Sequence, residues 1–395
     1  MRILQLSNNG FNRIKANHTE LKVTDFDDSL KSLVPGEWCK IEFSKTKEAW
    51  VAYINPLLDE KLSCGYLVTE FSESFDIESF IKFKLVSAFE KRKVFKGYEN
   101  FSRYFYGGSD GLNGLIIDRF KDKAIIQINT AGLDIFRNHI KSVTENYISG
   151  KAYFLDNPKY REKEFLPSYE NEEIPDISVE ENGIKFLMRS EIIQKVGFYF
   201  DHRENRKFLK QHLQDYNREF KTGVDLFSYV GAWGFCALDA GVESMTFIDQ
   251  GDFEKEFQTN LEINNIDRER VLFQRSDVFK KMDELIEKKS SFDLVLCDPP
   301  AFAKSLSQKN SALEGYTRLH RKAFKILAPQ GVVAFSSCTH YVDHVEFQKN
   351  ILEAAAKEGR KLNLLYSGIQ GWDHPIKSLN EKSNYIKCFI YKLEN

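Results

Sequence analysis

The chain has 395 residues, of which 42% are hydrophobic and 29% are charged, and its formal net charge is -2. This length predicts two or three domains, and this balance excludes a disordered or fibrous protein. The near-zero net charge excludes a general electrostatic attraction to nucleic acid, so a partner of that kind would need a local basic patch.

The cysteine pattern and the apolar runs set further limits. No two of the six cysteines form a CxxC pair, and none lies in a cluster with zinc-ligand spacing. We therefore expect reduced thiols, no metal and a cytoplasmic location. No apolar stretch approaches the roughly 18 residues of a membrane span, and the first apolar run is too short for a signal peptide. We therefore expect no membrane partner.

The first half of the chain predicts a β-domain followed by an α+β region. Residues 1–72 carry short alternating runs, such as EWCKIEFS and AWVAYINP. The segment DIESFIKFKLVSAFEKRKVFKGYENF predicts a helix that ends in a basic cluster between Lys91 and Lys96. Its helically spaced apolar residues are Phe80, Phe83, Val86, Ala88 and Phe89. GLNGLIIDRFKDKAIIQINTAG predicts a β-hairpin, and the acidic residues 151–182 predict a mostly irregular surface connection.

Strands and helices alternate from about residue 220 to the end of the chain. The predicted strands include GVDLFS, SMTFID, VLFQRSD, FDLVLCDPP and GVVAFSS, with helical segments between them. Repeated strand–helix units predict an α/β fold with a doubly wound, parallel sheet. Ligands of such sheets bind beyond the carboxyl ends of the strands.

Four aspartates lie in or just after these strands: Asp225, Asp249, Asp277 and Asp298. The turn after Asp225 contains two glycines that allow close approach to a ligand, but it is not a GxGxxG motif. Asp249 is placed to accept from ribose hydroxyls and Asp277 from an adenine amino group. One carboxylate per strand without a pyrophosphate loop suits S-adenosylmethionine, whose sulfonium also favours acidic surroundings. The alternative is that each aspartate only ends a strand, because aspartate favours turns.

Two further features lie at strand ends. In DPPAF, Pro299 and Pro300 fix the backbone, and they are expected to hold Asp298 and the ring of Phe302 rigidly, where the ring could stack on a base. After the strand GVVAFSS comes Cys338, which is either packing in the core or a nucleophile at the mouth of a site.

A family resemblance bears on that choice. The segments VGFYFDHRENR, DLFSYVGAWGF, FIDQ, RSDVF, LCDPPAFAKS and FSSCTHYV occur in this order. Together they resemble the bacterial large-subunit ribosomal RNA (cytosine-5) methyltransferases, and YGGSDGLNGLIIDRF and SNYIKCFIYKL are similar to that family's central signature and closing hairpin. The resemblance covers essentially the whole chain and is looser over residues 1–70.

The resemblance implies three domains. These are a PUA-like β-domain at residues 1–72, a central α+β domain at 73–185 and a class I methyltransferase domain at 186–395. The last would be Rossmann-like, with a mostly parallel sheet and a closing antiparallel strand. The implied cofactor is S-adenosylmethionine, and the implied partner is large-subunit ribosomal RNA, not DNA. A homodimer is a further option.

The resemblance also implies roles for residues. The cysteine at the position of Cys338 is the family's nucleophile: its thiolate adds to carbon 6 of cytosine, makes carbon 5 nucleophilic and later leaves. Asp298 would contact the cytosine amino group or ring N3. The implied cofactor-binding residues are Asp201, Arg203, Asp225, Phe227, Ser228, Tyr229, Gly231, Gly234, Asp249, Gln250, Asp277 and Asp298. The implied RNA-contacting residues are Pro299, Pro300, Phe302, Arg206 and Lys207.

The stretch FDHRENRKF matches the family pattern D-[QH]-R-x-N-R at Asp201, Arg203 and Arg206. The resemblance places it over the cofactor pocket, and the alternative is a charged helix start with side-chain pairs at i, i+3 spacing. The cations of this stretch, including Lys207 and Lys210, are expected to be exposed and, with the cluster from Lys91 to Lys96, to contact RNA. A plain solvated face is the alternative for each of them.

One departure from related enzymes affects the proton acceptor. Some RNA cytosine-5 methyltransferases carry a second cysteine just after the proline of the DPP motif, where this chain has Ala301. Cys297 precedes Asp298, and strand alternation should point it to the other face, so we interpret it as part of the core. His340 is a candidate for the base that removes the carbon 5 proton.

Two other functions stay open. A methyltransferase of guanine or of an exocyclic amine would need no thiol, although amine enzymes usually place an aromatic residue directly after the two prolines. A non-catalytic RNA-binding assembly factor would bind RNA without turning over S-adenosylmethionine. The complete aspartate series and DPPAF argue against such loss of a site.

Overall fold

The computed structural model describes residues 1–58, 63–170, 172–195, 197–376 and 383–394. The chain divides into two compact units, Met1–Ile174 and Pro175–Asn395. Across the described ranges, no helix has the length and apolar character needed to span a membrane.

The first unit begins with a sheet of five strands among the described residues. The strands are β1 (Arg2–Gln5), β2 (Glu20–Leu21), β3 (Glu37–Phe43), β4 (Glu48–Ile54) and β5 (Gly65–Glu70), and helix α1 (Asn8–Lys15) follows β1. Their order in the sheet is β1-β3-β4-β5-β2, with only the β1–β3 pair parallel. The alternating runs EWCKIEFS and AWVAYINP form β3 and β4, as predicted.

A second sheet of the first unit packs with a long helix. The strands are β6 (Phe101–Tyr106), β7 (Leu115–Phe120), β8 (Lys123–Ile128) and β9 (Lys151–Phe154), in that order. The helices are α2 (Ile77–Lys93), α3 (Gly107–Asp110), α4 (Ala131–Asp134), α5 (Arg137–Ile148) and α6 (Pro158–Lys163). Strands β7 and β8 form the predicted hairpin, and β9 pairs with β8 in parallel.

Helix α2 forms where the spacing predicted it, and Ala88 and Phe89 of that spacing are buried. Its buried side chains include Ile81 and Leu85, whereas Phe83 is 63% exposed. The prediction that Arg92 belongs to an exposed cationic cluster is wrong. The guanidinium of Arg92 is buried and donates to both carboxylate oxygens of Asp110, at 2.8 and 2.7 Å.

The prediction of a mostly irregular connection over residues 151–182 is wrong for its two ends. Strand β9 and helix α6 occupy the first part, and a strand begins at Ile177. The chain is held there by Arg161, which is 1% exposed and donates to both carboxylate oxygens of Asp134. An ion pair between residues so far apart in sequence leaves no local pattern.

The second unit is a three-layer α/β structure preceded by a hairpin. The strands are β10 (Ile177–Glu181), β11 (Ile184–Met188), β12 (Thr222–Leu226), β13 (Ser244–Asp249), β14 (Val271–Arg275), β15 (Phe292–Cys297), β16 (Leu327–Ser337), β17 (Leu362–Gly368) and β18 (Lys387–Leu393). The helices are α7 (Ser190–Lys195), α8 (Arg203–Asp215), α9 (Ala232–Asp239), α10 (Glu254–Ile263), α11 (Val278–Glu287), α12 (Lys309–Ile326) and α13 (His344–Lys357).

The strand order of the large sheet confirms the predicted fold class. The order is β14-β13-β12-β15-β16-β18-β17, and β18 runs antiparallel to both of its neighbours. The other pairs are parallel. The chain moves outward from β12 in one direction and returns at β15 to continue in the other. This switch point opens a crevice at the carboxyl ends of β12 and β15, where ligands of such sheets bind.

The predicted domain boundaries stay proposals. The boundary at 72/73 falls between β5 and α2, both of which belong to the first unit. The boundary at 185/186 falls inside β11, which pairs with β10 in the second unit. We therefore propose that the last domain begins near residue 175.

The buried ion pair of the first unit generates a stability prediction. Arg92→Leu leaves the buried carboxylate of Asp110 without its partner, which should lower the free energy of unfolding of this unit by about 3–5 kcal/mol. The matched control is Lys91→Leu, because Lys91 is the exposed neighbour of Arg92 in sequence. It should change that free energy by less than about 0.5 kcal/mol. Scanning calorimetry measures both, and equal melting temperatures for the two variants would contradict the assignment.

Candidate active site at the carboxyl edge of the large sheet

The loop after β12 is closed upon itself by hydrogen bonds. The backbone N–H groups of Phe227 and Ser228 donate to the carbonyl of Ile248 at 2.9 and 3.2 Å, and that of Tyr229 donates to Asp249 Oδ2 at 2.9 Å. Phe227 and Tyr229 have φ angles of 63° and 52°, a conformation that costs non-glycine residues about 1 kcal/mol or more. These three amides are engaged within the protein, so they form no cradle for a phosphate. This agrees with a nucleoside ligand that carries no phosphate.

The glycines of this loop bring the backbone against the sheet. Gly231 has a φ of 85°, which favours glycine. At Gly234, a Cβ atom would lie 2.2 Å from the ring of Phe247, so only glycine fits. This close approach lets the Gly234 amide donate to Asp225 Oδ2 at 2.9 Å.

The carboxylate of Asp225 is prepared for a ligand. It is fully buried, and its Oδ1 has no hydrogen-bond partner in the described part of the chain. The buried hydroxyl of Ser228, three residues on, has none there either. Burial raises the pKa of Asp225 well above its usual range, with Asp298 and Asp249 adding to the shift. A buried carboxylate oxygen without a donor fits the cationic and polar groups of S-adenosylmethionine.

The other strand-end aspartates also have structural partners. Asp249 accepts from the amides of Tyr229 and Gly251, at 2.9 and 2.7 Å, which leaves lone pairs on both oxygens. Asp277 caps α11 by accepting from the amide of Lys280 at 2.9 Å. Gln250 is exposed. At Asp277 the alternative role, ending a strand and starting the next turn, is therefore observed. Binding of a cofactor by Asp277 stays a proposal.

Three side chains from three elements surround the carboxylate of Asp298, and two of them donate hydrogen bonds to it. Trp233 Nε1 donates to Oδ2 at 3.0 Å, and the hydroxyl of Ser336 donates to Oδ1. His202 Nε2 lies 3.4 Å from Oδ1. The sequence reasoning missed these three residues, although each lies inside a segment quoted for the resemblance. They bring α9, β16 and the turn before α8 together at one carboxylate.

The tautomer of His202 follows from its other nitrogen. The side-chain amide nitrogen of Asn205 donates to the carbonyl of Ile369 at 3.1 Å and lies 3.0 Å from His202 Nδ1. Because an amide nitrogen only donates, Nδ1 must accept, and the neutral ring carries its proton on Nε2. His202 therefore presents an N–H to Asp298 and has no lone pair there to accept a proton.

Cys338 follows directly after β16, and its two neighbours are anchored. Ser337 shares a hydrogen bond of 2.9 Å with the hydroxyl of Tyr316, and Thr339 Oγ1 donates to the carbonyl of Ala303 at 2.8 Å. Cys338 is partly exposed, whereas the other five cysteines are buried. The thiol thus lies at the mouth of the crevice, fixed relative to the DPPAF loop.

The environment of Cys338 disfavours its thiolate. Burial, followed by the charges of Asp298 and Asp201, raises the pKa of the thiol to about 12, although Lys387 opposes this shift. At pH 7 such a thiol is almost entirely protonated. A nucleophilic role therefore requires a positive charge or a proton acceptor beside the thiol that stabilises the thiolate during the reaction.

The prediction that Arg203 and Arg206 are exposed to RNA is wrong. They are 3% and 2% exposed, and both pair with Glu181, with Arg206 Nε at 2.6 Å and Arg203 Nε at 3.4 Å. The two guanidinium groups attach α8 to strand β10. Lys207 is exposed, as expected.

Asp201, the second residue of the FDHRENR stretch, lies at the crevice. Asp201 accepts from the hydroxyl of Tyr385 at 2.7 Å, and its backbone carbonyl accepts from the amide of Gly371 at 2.8 Å. Its charge contributes to the raised pKa of Cys338. The stretch thus positions Asp201 and His202 at the site, while its arginines hold the helix behind them.

The remaining predicted residues surround this crevice. The half-buried ring of Phe302 stacks on Tyr316 with centroids 4.6 Å apart. Pro299 is buried and Pro300 is exposed. Cys297 is 2% exposed and packs in the core, as predicted. His340 is exposed, with its ring 5.4 Å from that of Tyr385.

Comparison with known proteins agrees with this geometry. Residues 138–367 match the model of a family described as S-adenosylmethionine-dependent methyltransferase. A relative from Aeromonas salmonicida, named ribosomal RNA large subunit methyltransferase I, is 33% identical over 76% of this chain and 76% of its own. A relative of the same name from Aeromonas hydrophila is 32% identical over 81% and 82%.

Solved structures share the fold. The crystal structure of SMU.776 complexed with SAH superimposes with a TM-score of 0.77 at 20% identity, covering 99% of this chain and all of the other. The structure of Trm5b from Pyrococcus abyssi superimposes with a TM-score of 0.51 at 16% identity, covering 71% and 75%. At these identities the likeness concerns the fold alone.

The buried carboxylate of Asp225 generates a binding prediction. As the pH falls through its raised pKa, Asp225 gains a proton and loses its attraction for a cation, so the affinity for S-adenosylhomocysteine, which carries an ammonium, should fall. Asp225→Asn should weaken binding at pH 8 by about 10- to 100-fold and flatten the pH dependence. Titration calorimetry between pH 5.5 and 8.5 measures both effects.

The matched control for this experiment is Asp239→Asn, because Asp239 is an aspartate of α9 whose side chain is 47% exposed and pairs with Lys210. It should bind as the unmodified protein does. An Asp225→Asn variant with unchanged affinity and pH dependence would contradict the assignment of Asp225 to the cofactor.

Proposed function

The chain belongs to the S-adenosylmethionine-dependent methyltransferase family, and we propose that it forms 5-methylcytosine in large-subunit ribosomal RNA through a covalent adduct of Cys338. The observation that carries the proposal is the position of Cys338. It is a partly exposed thiol at a strand end, two residues after the serine that holds Asp298. The names of the relatives supply the class of RNA.

The proposed reaction begins at the thiol. The sulfur of Cys338, as the thiolate, forms a bond to carbon 6 of cytosine, and the electron pair of the carbon 5–carbon 6 bond becomes available at carbon 5. When bound, S-adenosylmethionine supplies an electrophilic methyl group, which carbon 5 accepts. Water or another base then takes the carbon 5 proton, and the electron pair of that carbon–hydrogen bond re-forms the carbon 5–carbon 6 double bond, which expels the Cys338 thiolate and restores the aromatic ring.

Asp298 is proposed to orient the target base. Its carboxylate accepts hydrogen bonds from Trp233 and Ser336, with His202 Nε2 at 3.4 Å, yet its side chain keeps 24% exposure. An exposed lone pair on a fixed carboxylate suits the exocyclic amino group of cytosine. His202 Nε2 lies 3.4 Å from this carboxylate, so His202 is proposed as a positioning residue and not as the acceptor of the carbon 5 proton.

The second candidate, methylation of guanine or of an exocyclic amine, is favoured by one observation. The raised pKa of Cys338 makes the thiolate scarce, and amine chemistry needs no thiolate. The non-catalytic alternative has less support, because Asp225 and Ser228 retain buried polar atoms suited to a ligand. The identity of the base is therefore the point to test.

The test is trapping on RNA that contains 5-fluorocytosine, with S-adenosylmethionine present. Fluorine does not leave as the proton does, so the unmodified protein should form an adduct that survives denaturation, and Cys338→Ala should form none. The matched control is Cys297→Ala, which removes a buried thiol beside Asp298 and should retain the adduct. Methyl transfer to ordinary RNA without any adduct would instead favour guanine or amine methylation.

A further inference from the structure

A buried lysine contacts the backbone next to the proposed nucleophile. Lys387 lies on β18 and is 2% exposed. In the antiparallel pairing of β16 with β18, it lies opposite Ser337, the residue before Cys338. Its Nζ donates to the carbonyl of Thr339, the residue after Cys338, and to that of Tyr385 at 2.9 Å. The amine of Lys387 therefore lies at the end of β16, close to the backbone on both sides of Cys338.

Packing alone does not account for this lysine. Burying an ammonium is costly unless a carboxylate pairs with it, and among the described residues Lys387 forms no ion pair, so the charge of Asp343 acts on it only at longer range. An apolar side chain of similar length would fill the same space without that cost. The two carbonyls use two of the hydrogens of the nitrogen, and no described residue takes its third position.

The third position around the nitrogen of Lys387 has a use in both protonation states of the amine. In a neutral amine it holds the lone pair, and in an ammonium it holds the third N–H. A thiol that comes within reach of it could give up its proton to the lone pair, and the resulting thiolate would accept from the new N–H. The pKa of Lys387 is lowered to about 8 because burial outweighs the charges of Cys338 and Asp343, so a neutral fraction is present near physiological pH.

Lys387 opposes the negative charges that surround Cys338. Carboxylates from two elements, Asp298 and Asp201, disfavour the thiolate, and Lys387 is the cation that favours it. Burial raises the pKa values of the neighbouring Tyr199 and Tyr316, and the charge of Cys338 adds to both shifts. Among these groups only Lys387 supplies a positive charge.

We propose that Lys387 activates Cys338 by taking the thiol proton and stabilising the thiolate as an ammonium. The S–H bond breaks, the proton moves to the lone pair of Nζ, and the sulfur keeps the electron pair with which it attacks carbon 6. When the thiolate leaves the methylated ring, the same ion pair is restored. The inference deepens the proposed function, because it assigns the activating group of the same nucleophile.

The test measures the reactivity of the thiol without RNA. Iodoacetamide alkylation of the full-length protein between pH 6 and 10 should report Cys338, because the other five cysteines are buried, and Cys338→Ala should abolish the signal. Lys387→Met should lower the alkylation rate at pH 8 at least tenfold and shift its pH profile upward. Lys387→Arg keeps a permanent positive charge, so its alkylation rate should rise at the same pH as in the unmodified protein or at a lower pH.

The matched control is Lys392→Met, a partly exposed lysine of the same strand whose ammonium lies over the ring of Tyr216. It should leave the profile unchanged. Binding of S-adenosylhomocysteine by each variant checks the fold. If Lys387→Met does not bind S-adenosylhomocysteine, the alkylation profile of Lys387→Arg is decisive. An alkylation profile shifted to higher pH than that of the unmodified protein would overturn the proposal. A profile at the same or a lower pH would support it.

The outcomes separate this inference from the proposed function. In one outcome, the unmodified protein is trapped by 5-fluorocytosine RNA and Lys387→Met is alkylated as fast as the unmodified protein. This result would overturn the role of Lys387 and leave the covalent mechanism standing. A shifted alkylation profile without trapping by the unmodified protein would support the lysine–thiol pair and count against cytosine methylation.

Discussion

The carboxylate of Asp298 is the interaction on which the rest of the site depends. Its two donors, Trp233 and Ser336, and the neighbouring ring of His202 come from three elements that meet at the switch point of the sheet. None of these contacts exists until β12, β15 and β16 are paired in register. Because Cys338 follows Ser336 by two residues, the same contacts fix the thiol relative to the carboxylate, so the geometry of the site is a direct consequence of the sheet.

The acidic edge of the sheet meets two opposed requirements. Its carboxylates suit a cofactor with a sulfonium and an ammonium, and the raised pKa of Asp225 shows the cost of keeping such a group buried without a cation. The same charges raise the pKa of Cys338. A nucleophilic thiolate therefore needs a cation beside it. In our account Lys387 supplies that charge from the opposite strand, and a bound cationic cofactor adds to it.

The sequence was sufficient where the signal is local. Alternating strand and helix lengths predicted the sheet, and aspartates at strand ends marked its functional edge. Cys297 was assigned to the core from strand alternation alone. The errors arose from buried charges: Arg92 and Arg206 look like solvent-facing cations because their partners, Asp110 and Glu181, lie 18 and 25 residues away.

The side chains around Asp298 were missed for the same physical reason. His202 and Trp233 approach that carboxylate only through the tertiary fold, and a sequence pattern carries no information on such convergence. On α2 the spacing included the buried Ala88 and Phe89, but apolar residues surround the helix, so spacing alone did not distinguish the exposed Phe83 from the buried Ile81. Local patterns thus identify elements and strand ends, and long-range contacts decide which side chains act together.

The central claim is that Cys338 serves methylation of cytosine at carbon 5. The most direct measurement is to incubate the protein with unmodified large-subunit ribosomal RNA and isotopically labelled S-adenosylmethionine, digest the RNA to nucleosides and identify the labelled one by mass spectrometry. Our account predicts labelled 5-methylcytidine with the unmodified protein and none with Cys338→Ala. A labelled guanosine, or the same label with both proteins, would contradict it.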